Sequence, residues 1–384
     1  MVIQLIGLAL TLLGAGMLVA LRRSRVDEPE PGWRPDPTVD ERRGRFWDDQ
    51  AWTHRVRAGD EQAVRGRRFR GLFWGPWVWA IVVALVTLGV GAAVYNSTES
   101  VAVLMALSLV VMSSLALAFY LFVARQLDLH QAIGLREVVA ATVTAAGVTL
   151  VVAMTLNDLV IESVGLTGAL ITVGPVEEST KLIVPLALFA LGWYRNPRAG
   201  IALGLAGGAG FAIAETVLYG YTVPKGGAPD PCTGETIDAP GVGGSLLAQA
   251  FRFVMISPLH WLWTGIAVAV IWRLWHLYGR ARLTVPVVAT LAAVMATHSL
   301  NDTSALITCG GSAGSSAHFG INLLLPIALY LAFRFFARQS TPPQHIGVVS
   351  RGWHPTHIAA EPETLAEPAT PAGRHEEVDG GLAP

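Results

Sequence analysis

Long apolar runs alternate with short polar segments along most of the chain, and this pattern predicts helices that cross a membrane. A span needs roughly 20 mostly apolar residues, because each residue adds about 1.5 Å across about 30 Å of hydrocarbon. The run at 163–194 is too long for one upright span, so we expect Gly174-Pro175 to break it and the span to start near Pro175. Nine stretches qualify: 3–21, 72–95, 101–123, 137–156, 163–194, 199–222, 246–275, 284–302 and 319–337.

The composition agrees with this pattern. Of the 384 residues, 52% are hydrophobic and only 14% are charged, whereas soluble domains carry about 25% charged residues. Two cysteines exclude a disulfide scaffold, and a net charge of −1 gives no reason to expect a nucleic-acid partner. We therefore predict an all-α polytopic membrane protein of about nine transmembrane helices, with the lipid bilayer as its surroundings.

The distribution of basic residues predicts the orientation. Cytoplasmic loops are enriched in Lys and Arg, and an outside N-terminus with a cytoplasmic C-terminus places 24 of the 27 basic residues inside. The first apolar run has no basic residue before it and is followed by Arg22, Arg23 and Arg25. This charge order favours a retained N-terminal anchor at 1–21 over a cleaved signal peptide.

Both cysteines, Cys232 and Cys309, fall in loops that this orientation places outside. An oxidising exterior permits a disulfide between them. Two free thiols are the alternative.

A charged segment that contains several tryptophans, 22–71, follows the anchor and is predicted to be cytoplasmic. Tryptophans beside Pro-Asp-Pro turns indicate a small β-meander held by aromatic burial. Asp49 stands where the related pattern has Gly, but the segment otherwise resembles a short Trp-rich domain of unknown function found in actinobacterial membrane proteins. We expect residues 32–53 to bind a cytoplasmic protein, or else to act as a spacer. The resemblance depends on Gly32-Trp33-Arg34-Pro35-Asp36-Pro37, Arg45-Phe46-Trp47-Asp48 and Trp52-Thr53.

The end of the chain, 338–384, is rich in proline and poor in large apolar residues, so we predict a disordered cytoplasmic tail there. The predicted organisation thus has four parts. They are an anchor at 1–21, a Trp-rich module with a basic linker at 22–71, an eight-helix core at 72–337 and the tail at 338–384.

Ionisable residues are rare in membrane spans, and those that occur are usually functional. Here they occur on four consecutive predicted spans. In the predicted topology all of them lie within roughly 3 to 20 Å of the outer surface, so we expect one water-accessible cavity in the outer half of the bilayer. These residues are Glu177, Glu178 and Lys181, then Glu215, then His260, then His298, Asn301 and Asp302.

This set of residue types is suited to hydrolysis of an amide bond. A desolvated glutamate can act as a general base, and histidines can stabilise an oxyanion or bind Zn²⁺ together with a glutamate. Lys181 lies one helical turn from Glu177 and Glu178 and is predicted to pair with either. Asp302 lies one turn from His298, where a carboxylate can fix the imidazole tautomer.

Four motifs in order resemble the signature of the PrsW family of membrane-embedded proteases, which is related to the CAAX prenyl endopeptidases. The resemblance implies a bacterial plasma-membrane protease that cuts a single-span protein, such as an anti-sigma factor, on its outer side. It also implies that Glu177 or Glu178 activates water and that Glu215, His260, His298 and Asp302 complete the site, with Zn²⁺ on His260 and His298 if a metal is used. The motifs are Glu177-Glu178-x-x-Lys181, Phe211-x-x-x-Glu215, His260 followed by Gly265, and His298-x-x-x-Asp302.

Two other functions fit the same residues. A proton-coupled transporter or channel also uses intramembrane Glu and His, but it needs polar residues through the full membrane thickness, and the inner halves of these spans hold almost none. A catalytically silent membrane scaffold is the third possibility. Cleavage of a membrane protein, or proton flux without cleavage, distinguishes these functions.

Overall fold

A computed structural model describes residues 1–24, 32–36, 40–47, 52–57, 75–127, 129–227, 230, 232–233, 235–278 and 280–340. Most of the predicted tail and part of the Trp-rich segment lie outside these residues. The described chain is built mainly from ten α-helices. They are α1 (Val2–Ser24), α2 (Pro76–Thr98), α3 (Val101–Leu127), α4 (Leu135–Val148), α5 (Met154–Ala190), α6 (Pro197–Thr222), α7 (Gly241–Phe251), α8 (Ser257–Tyr278), α9 (Val285–Thr303) and α10 (Gly311–Ser340).

Three short strands follow α1 in the segment that the sequence assigns to a β-rich module. They pair antiparallel in the order β1 (Gly32–Asp36), β2 (Asp40–Trp47) and β3 (Trp52–Arg57). Consecutive strands are therefore neighbours in the sheet, as in a simple meander. What this sheet binds remains a prediction.

The described helices give a multi-pass membrane protein. Seven helical segments are long and apolar enough to cross a membrane, and two of them, Leu135–Ala190 and Val285–Ser340, have 56 residues each. A straight helix of that length would extend about 84 Å, far more than the roughly 30 Å of hydrocarbon. Each long segment covers all or most of two predicted spans. The first is interrupted at Gly165, inside the predicted span 163–194, and the second is interrupted between its two predicted spans.

The first long segment reverses direction at Gly165, inside α5. Gly165 has φ 73°, a backbone conformation that glycine adopts without steric cost. The side chains of Asn157 and Glu177 lie 3.1 Å apart, although a straight helix would separate these residues by about 30 Å. The two parts of α5 therefore run back along each other, and Glu177 is brought beside the helix that precedes the reversal.

The predicted break at Gly174-Pro175 was wrong, because α5 continues through both residues. The neighbouring helix α9 supports this part of α5: the Gly174 N–H donates to Ser299 Oγ at 3.1 Å, and Thr303 Oγ1 donates to the Leu170 carbonyl at 3.3 Å. Hydroxyl side chains of neighbouring helices satisfy backbone groups beside a proline in membrane helices. A Cβ on Gly174 would lie only 2.0 Å from the Met295 carbonyl oxygen, so this glycine permits close packing rather than a break.

The second long segment is interrupted by a 3₁₀ turn, Ser304–Gly310, and by Gly311 with φ 75°. Cys309 in this turn forms a disulfide with Cys232, in the connection that follows α6. The two cysteines are therefore paired rather than free. The bond links the connections that follow α6 and α9, which end on the same side of the helix bundle.

Helix α6 lies at the centre of the bundle and contacts α8 and α5 through glycines. A Cβ on Gly207 would lie 2.6 Å from the Lys181 carbonyl oxygen, and a Cβ on Gly208 would lie 2.6 Å from the His260 carbonyl oxygen. Such distances are too short for any side chain. Because both positions are glycine, the backbones that carry Lys181 and His260 approach α6 closely, and their side chains meet in one place.

Candidate active site

The polar residues predicted on four spans meet in one buried cluster near the disulfide-linked ends of α6 and α9. Helix α5 contributes two carboxylates and a lysine, and α6, α8 and α9 contribute one or two residues each. Five of the six predicted site residues, together with Lys181, lie within this cluster, and Asp302 lies at its edge. The five are Glu177, Glu178, Glu215, His260 and His298.

The Glu178 carboxylate is almost fully engaged by its neighbours. Its Oε1 lies 2.5 Å from Lys181 Nζ and 2.9 Å from His298 Nδ1, and its Oε2 accepts a hydrogen bond from Thr264 Oγ1 at 3.2 Å. The side chain is only 1% exposed. With both oxygens committed, Glu178 serves to hold its partners in place.

Glu177, the adjacent residue, is placed differently. Its Oε1 accepts a hydrogen bond from Asn157, while its buried Oε2 has no hydrogen-bond donor among the described residues. This Oε2 lies 3.5 Å from His298 Nε2 and 4.0 Å from His260 Nδ1. Glu177 therefore presents an uncommitted oxygen towards two imidazoles.

Each histidine is backed by a carboxylate. Glu178 Oε1 is hydrogen-bonded to Nδ1 of His298 at 2.9 Å, whereas Glu215 Oε2 lies 3.0 Å from Nε2 of His260 as an ion-pair contact without the alignment of a hydrogen bond. A carboxylate on one ring nitrogen fixes the tautomer and leaves the other nitrogen available as an acceptor or ligand. In both pairs that other nitrogen is the one nearer to Glu177, but on His260 it also lies 2.8 Å from Lys181 Nζ.

Aromatic rings set the orientation of the imidazoles. Trp263 stacks on His298 with ring centroids 4.1 Å apart, and Phe211 lies against His260 with centroids 5.0 Å apart. Lys181 Nζ also lies over the face of Phe211, 4.2 Å from the ring centroid. These contacts limit rotation of the side chains and exclude water from the rear of the site.

Lys181 neutralises part of the negative charge. Its Nζ lies 2.5 Å from Glu178, 3.6 Å from Glu177 Oε2 and 2.8 Å from His260 Nδ1. The sequence predicts that Lys181 pairs with either glutamate, and in the structure it lies near both, with Glu178 the closer partner. The side chain is completely buried, so this cation belongs to the interior of the site.

The predicted contact between Asp302 and His298 does not form a hydrogen bond, because the nearest atoms are 3.9 Å apart. Asp302 is 31% exposed and lies 3.4 Å from the Asn301 amide nitrogen. The carboxylate that orients His298 is Glu178 instead. The spacing of one helical turn places Asp302 on the same face of α9 as His298. It could not reveal Glu178 as the closer carboxylate, because Glu178 lies on another helix.

The profile of the PrsW-protease family, described as "PrsW family intramembrane metalloprotease", matches residues 134–333. The match covers more than half of the chain and includes every residue of the cluster. The chain belongs to the PrsW family of intramembrane metalloproteases. No curated protein and no solved structure gives a significant match. Membership in the PrsW family makes the protein a membrane protease and favours this activity over a transporter or a silent scaffold.

The residues present fit the metal that a PrsW metalloprotease implies. Ligand atoms of Glu177, His260 and His298 all lie within 4.8 Å of one another, and all three residues are buried. One carboxylate and two imidazoles form a common catalytic zinc set. The uncommitted Glu177 Oε2 and the carboxylate behind each histidine are the features that such a site requires.

Four residues of the site were not predicted from the sequence. Arg252 lies 2.6 Å from Glu215 and stacks over Tyr219 at 3.7 Å, and it begins the π-helical turn Arg252–Ile256. An arginine inside an apolar stretch was the available signal for it. Asn157, Thr264 and Trp263 are uncharged, and nothing in the apolar pattern distinguishes them from packing residues.

Proposed function

We propose that the cluster hydrolyses a peptide bond of a membrane-protein substrate, and that Glu177, His260 and His298 are the groups that meet the reacting atoms. The observation that supports this most directly is Glu177 Oε2. It is buried, has no hydrogen-bond donor among the described residues and lies 3.5 Å from Nε2 of His298 and 4.0 Å from Nδ1 of His260, the nitrogen that Lys181 also approaches. An oxygen in that position can take the proton of an attacking water.

The same three side chains would hold the metal, with Zn²⁺ as the best match to the donor set. When bound, such an ion activates water and polarises the carbonyl of the scissile bond. Glu177 would then be a ligand, and without metal it is a proton acceptor that lies within 4.0 Å of both imidazoles. Metal analysis of the purified protein distinguishes these two tasks, and both require its carboxylate.

The other predicted residues have supporting tasks in this proposal. Glu178 orients His298 and pairs with Lys181, and Glu215 orients His260 while Arg252 balances its charge. Asp302, at the edge of the cluster, adds a modest electrostatic contribution. The two adjacent glutamates therefore have different proposed roles. Glu177 meets the reacting atoms, and Glu178 keeps His298 and Lys181 in position.

We propose a single-span membrane protein as the substrate, such as an anti-sigma factor, cut near the outer face of a bacterial plasma membrane. The N-terminus would lie outside and the C-terminus in the cytoplasm, as the arginine distribution favours. The disulfide supports this orientation, because disulfides persist on the oxidising side of a membrane and Cys232–Cys309 lies at the end of the bundle that holds the site.

The Trp-rich segment at 32–53 has its own proposed task, which is to bind a cytoplasmic protein. Deletion of 22–71 is expected to leave cleavage by the purified protein intact and to lower cleavage in cells. Equal cleavage in cells by the deletion and full-length proteins would show that the segment is a spacer.

The test of the proposed activity compares the membrane proteomes of cells with the wild-type protein, Glu177→Gln or His298→Ala. We expect a single-span protein to appear cut only with the wild type, and its purified form to be cleaved about 10²–10⁴-fold more slowly by the variants. Glu162→Gln is the matched control, since Glu162 is an exposed glutamate on the same helix. Full activity in both site variants would refute the proposed function.

A further inference from the structure

Asn157 is a partly buried polar residue on α5, next to the exposed Asp158, and it lies outside the four motifs that carry the family resemblance. It is on the part of the helix that precedes the reversal at Gly165. The reversal brings its amide to 3.1 Å from Glu177 Oε1. This contact joins residues 20 positions apart and depends on the fold rather than on helical spacing.

The amide acts on the oxygen of Glu177 that faces away from the histidines. A carboxylate group rotates readily, since its terminal torsion has a broad energy profile. Lys181 Nζ lies 3.6 Å from Oε2 and attracts the carboxylate towards itself. A donor on Oε1 opposes that rotation and keeps Oε2 directed at His260 and His298.

We propose that Asn157 is a positioning residue, whose side-chain amide fixes the Glu177 carboxylate in the orientation required for water activation or metal binding. This inference builds on the proposed role of Glu177. Groups that orient a metal ligand or a catalytic group typically contribute 10–100-fold to affinity or activity. Loss of the donor should therefore lower kcat by that factor and leave KM nearly unchanged, since Asn157 acts through Glu177.

Three substitutions distinguish hydrogen-bond donation from packing. Asn157→Asp keeps nearly the same shape but removes the donor and adds a like charge, so we expect a loss of kcat of at least 10-fold. Asn157→Leu keeps the volume without any polar group, and the expected loss is about 10–100-fold. Asn157→Gln retains an amide at a longer reach and should keep the most activity of the three. Asp158→Ala, at an exposed neighbouring position, is the control and should match the wild type.

The substrate for these assays is the single-span protein that accumulates uncut in Glu177→Gln cells. A second measurement needs no substrate: titration of the purified metal-free protein with Zn²⁺ alone, where Asn157→Leu should bind about 10-fold more weakly. Thermal unfolding and formation of the Cys232–Cys309 disulfide confirm that a variant is folded. If Asn157→Leu does not fold, Asn157→Gln and Asn157→Asp remain.

Wild-type kcat in Asn157→Asp would overturn the inference, because a packing role tolerates a near-isosteric residue. So would a loss confined to KM, or wild-type Zn²⁺ affinity in Asn157→Leu. Glu177→Gln serves as the reference in the same assays. If Glu177→Gln and His298→Ala are both fully active, the proposed function fails; if Glu177→Gln is inactive while Asn157→Asp matches the wild type, only the positioning role fails.

Discussion

The two sides of the site balance their charges in different ways. On the side formed by α5 and α9, the pair Glu178–His298 is about 1% exposed and its counter-ion, Lys181, is completely buried. On the side formed by α6 and α8, Glu215 is 12% exposed and its counter-ion, Arg252, is 11% exposed at the start of the π-helical turn that precedes α8. The first side is almost completely buried, and the second is slightly more exposed.

This difference indicates which side is scaffold and which side faces the substrate. Buried charges must be paired, since an unpaired charge in a low-dielectric interior is strongly destabilising. The α5–α9 side therefore cannot rearrange without loss of stability. The α6–α8 side is less completely buried, and we expect a substrate segment to approach past Glu215 and Arg252.

The largest expected effect is on the buried side. Lys181→Met removes the cation that Glu177 and Glu178 share and leaves two carboxylates close together in the interior. We expect a loss of about 3–5 kcal/mol in the free energy of unfolding, measured by thermal or chemical unfolding in detergent. A loss below about 1 kcal/mol would mean that this side is hydrated, and the contrast between the two sides would disappear.

The next effect concerns the connection between the two sides. The Cys232–Cys309 disulfide closes a long loop, since its cysteines have a sequence separation of 77, and it joins the connections after α6 and α9. Replacing both cysteines with serine should destabilise the protein by about 2–4 kcal/mol. Unfolding with and without reductant measures this, and the double variant is its own control because reductant should no longer affect it.

The third effect is on the more exposed side. Arg252→Met removes the cation that pairs with Glu215. Without this cation, Glu215 no longer keeps the His260 imidazole in its orientation. We therefore expect cleavage to slow by about 10–100-fold. Lys225→Met is the matched control, because Lys225 also lies over a tyrosine ring, that of Tyr221, but takes no part in the cluster. If Arg252→Met instead destabilised the protein as much as Lys181→Met, Arg252 would belong to the scaffold.

Much of this arrangement could be predicted from the sequence because charges are rare in apolar spans. Glu177, Glu178, Glu215, His260 and His298 stand out in such surroundings, and the structure brings them together. The family match then places all of them within residues 134–333. The rarity of charged residues in the spans points to the members of the cluster but does not assign their roles. Glu177 and Glu178 are adjacent in the sequence, and they differ only in the side chains that other helices place beside them.

The remaining features depend on contacts between distant segments. Gly174-Pro175 has the composition of a helix break, yet hydroxyls from α9 support the helix there. Gly165 has no proline beside it and forms the reversal. Asn157 and Thr264 are neutral, and their importance becomes visible only once the reversal and the packing of α8 bring them to the two glutamates.

The smallest effect is expected at Asp302, which lies on α9 but at the exposed edge of the cluster. Its carboxylate is 3.9 Å from His298 and 31% exposed, and ion pairs so open to solvent contribute at most about 1 kcal/mol. Asp302→Asn should therefore lower kcat by less than about fivefold, with stability unchanged. The assay is cleavage of the same single-span substrate, beside Glu177→Gln. A 100-fold loss would mean that Asp302 contacts the reacting atoms, and the opening of the site would then lie between α6 and α9 rather than on the α6–α8 side.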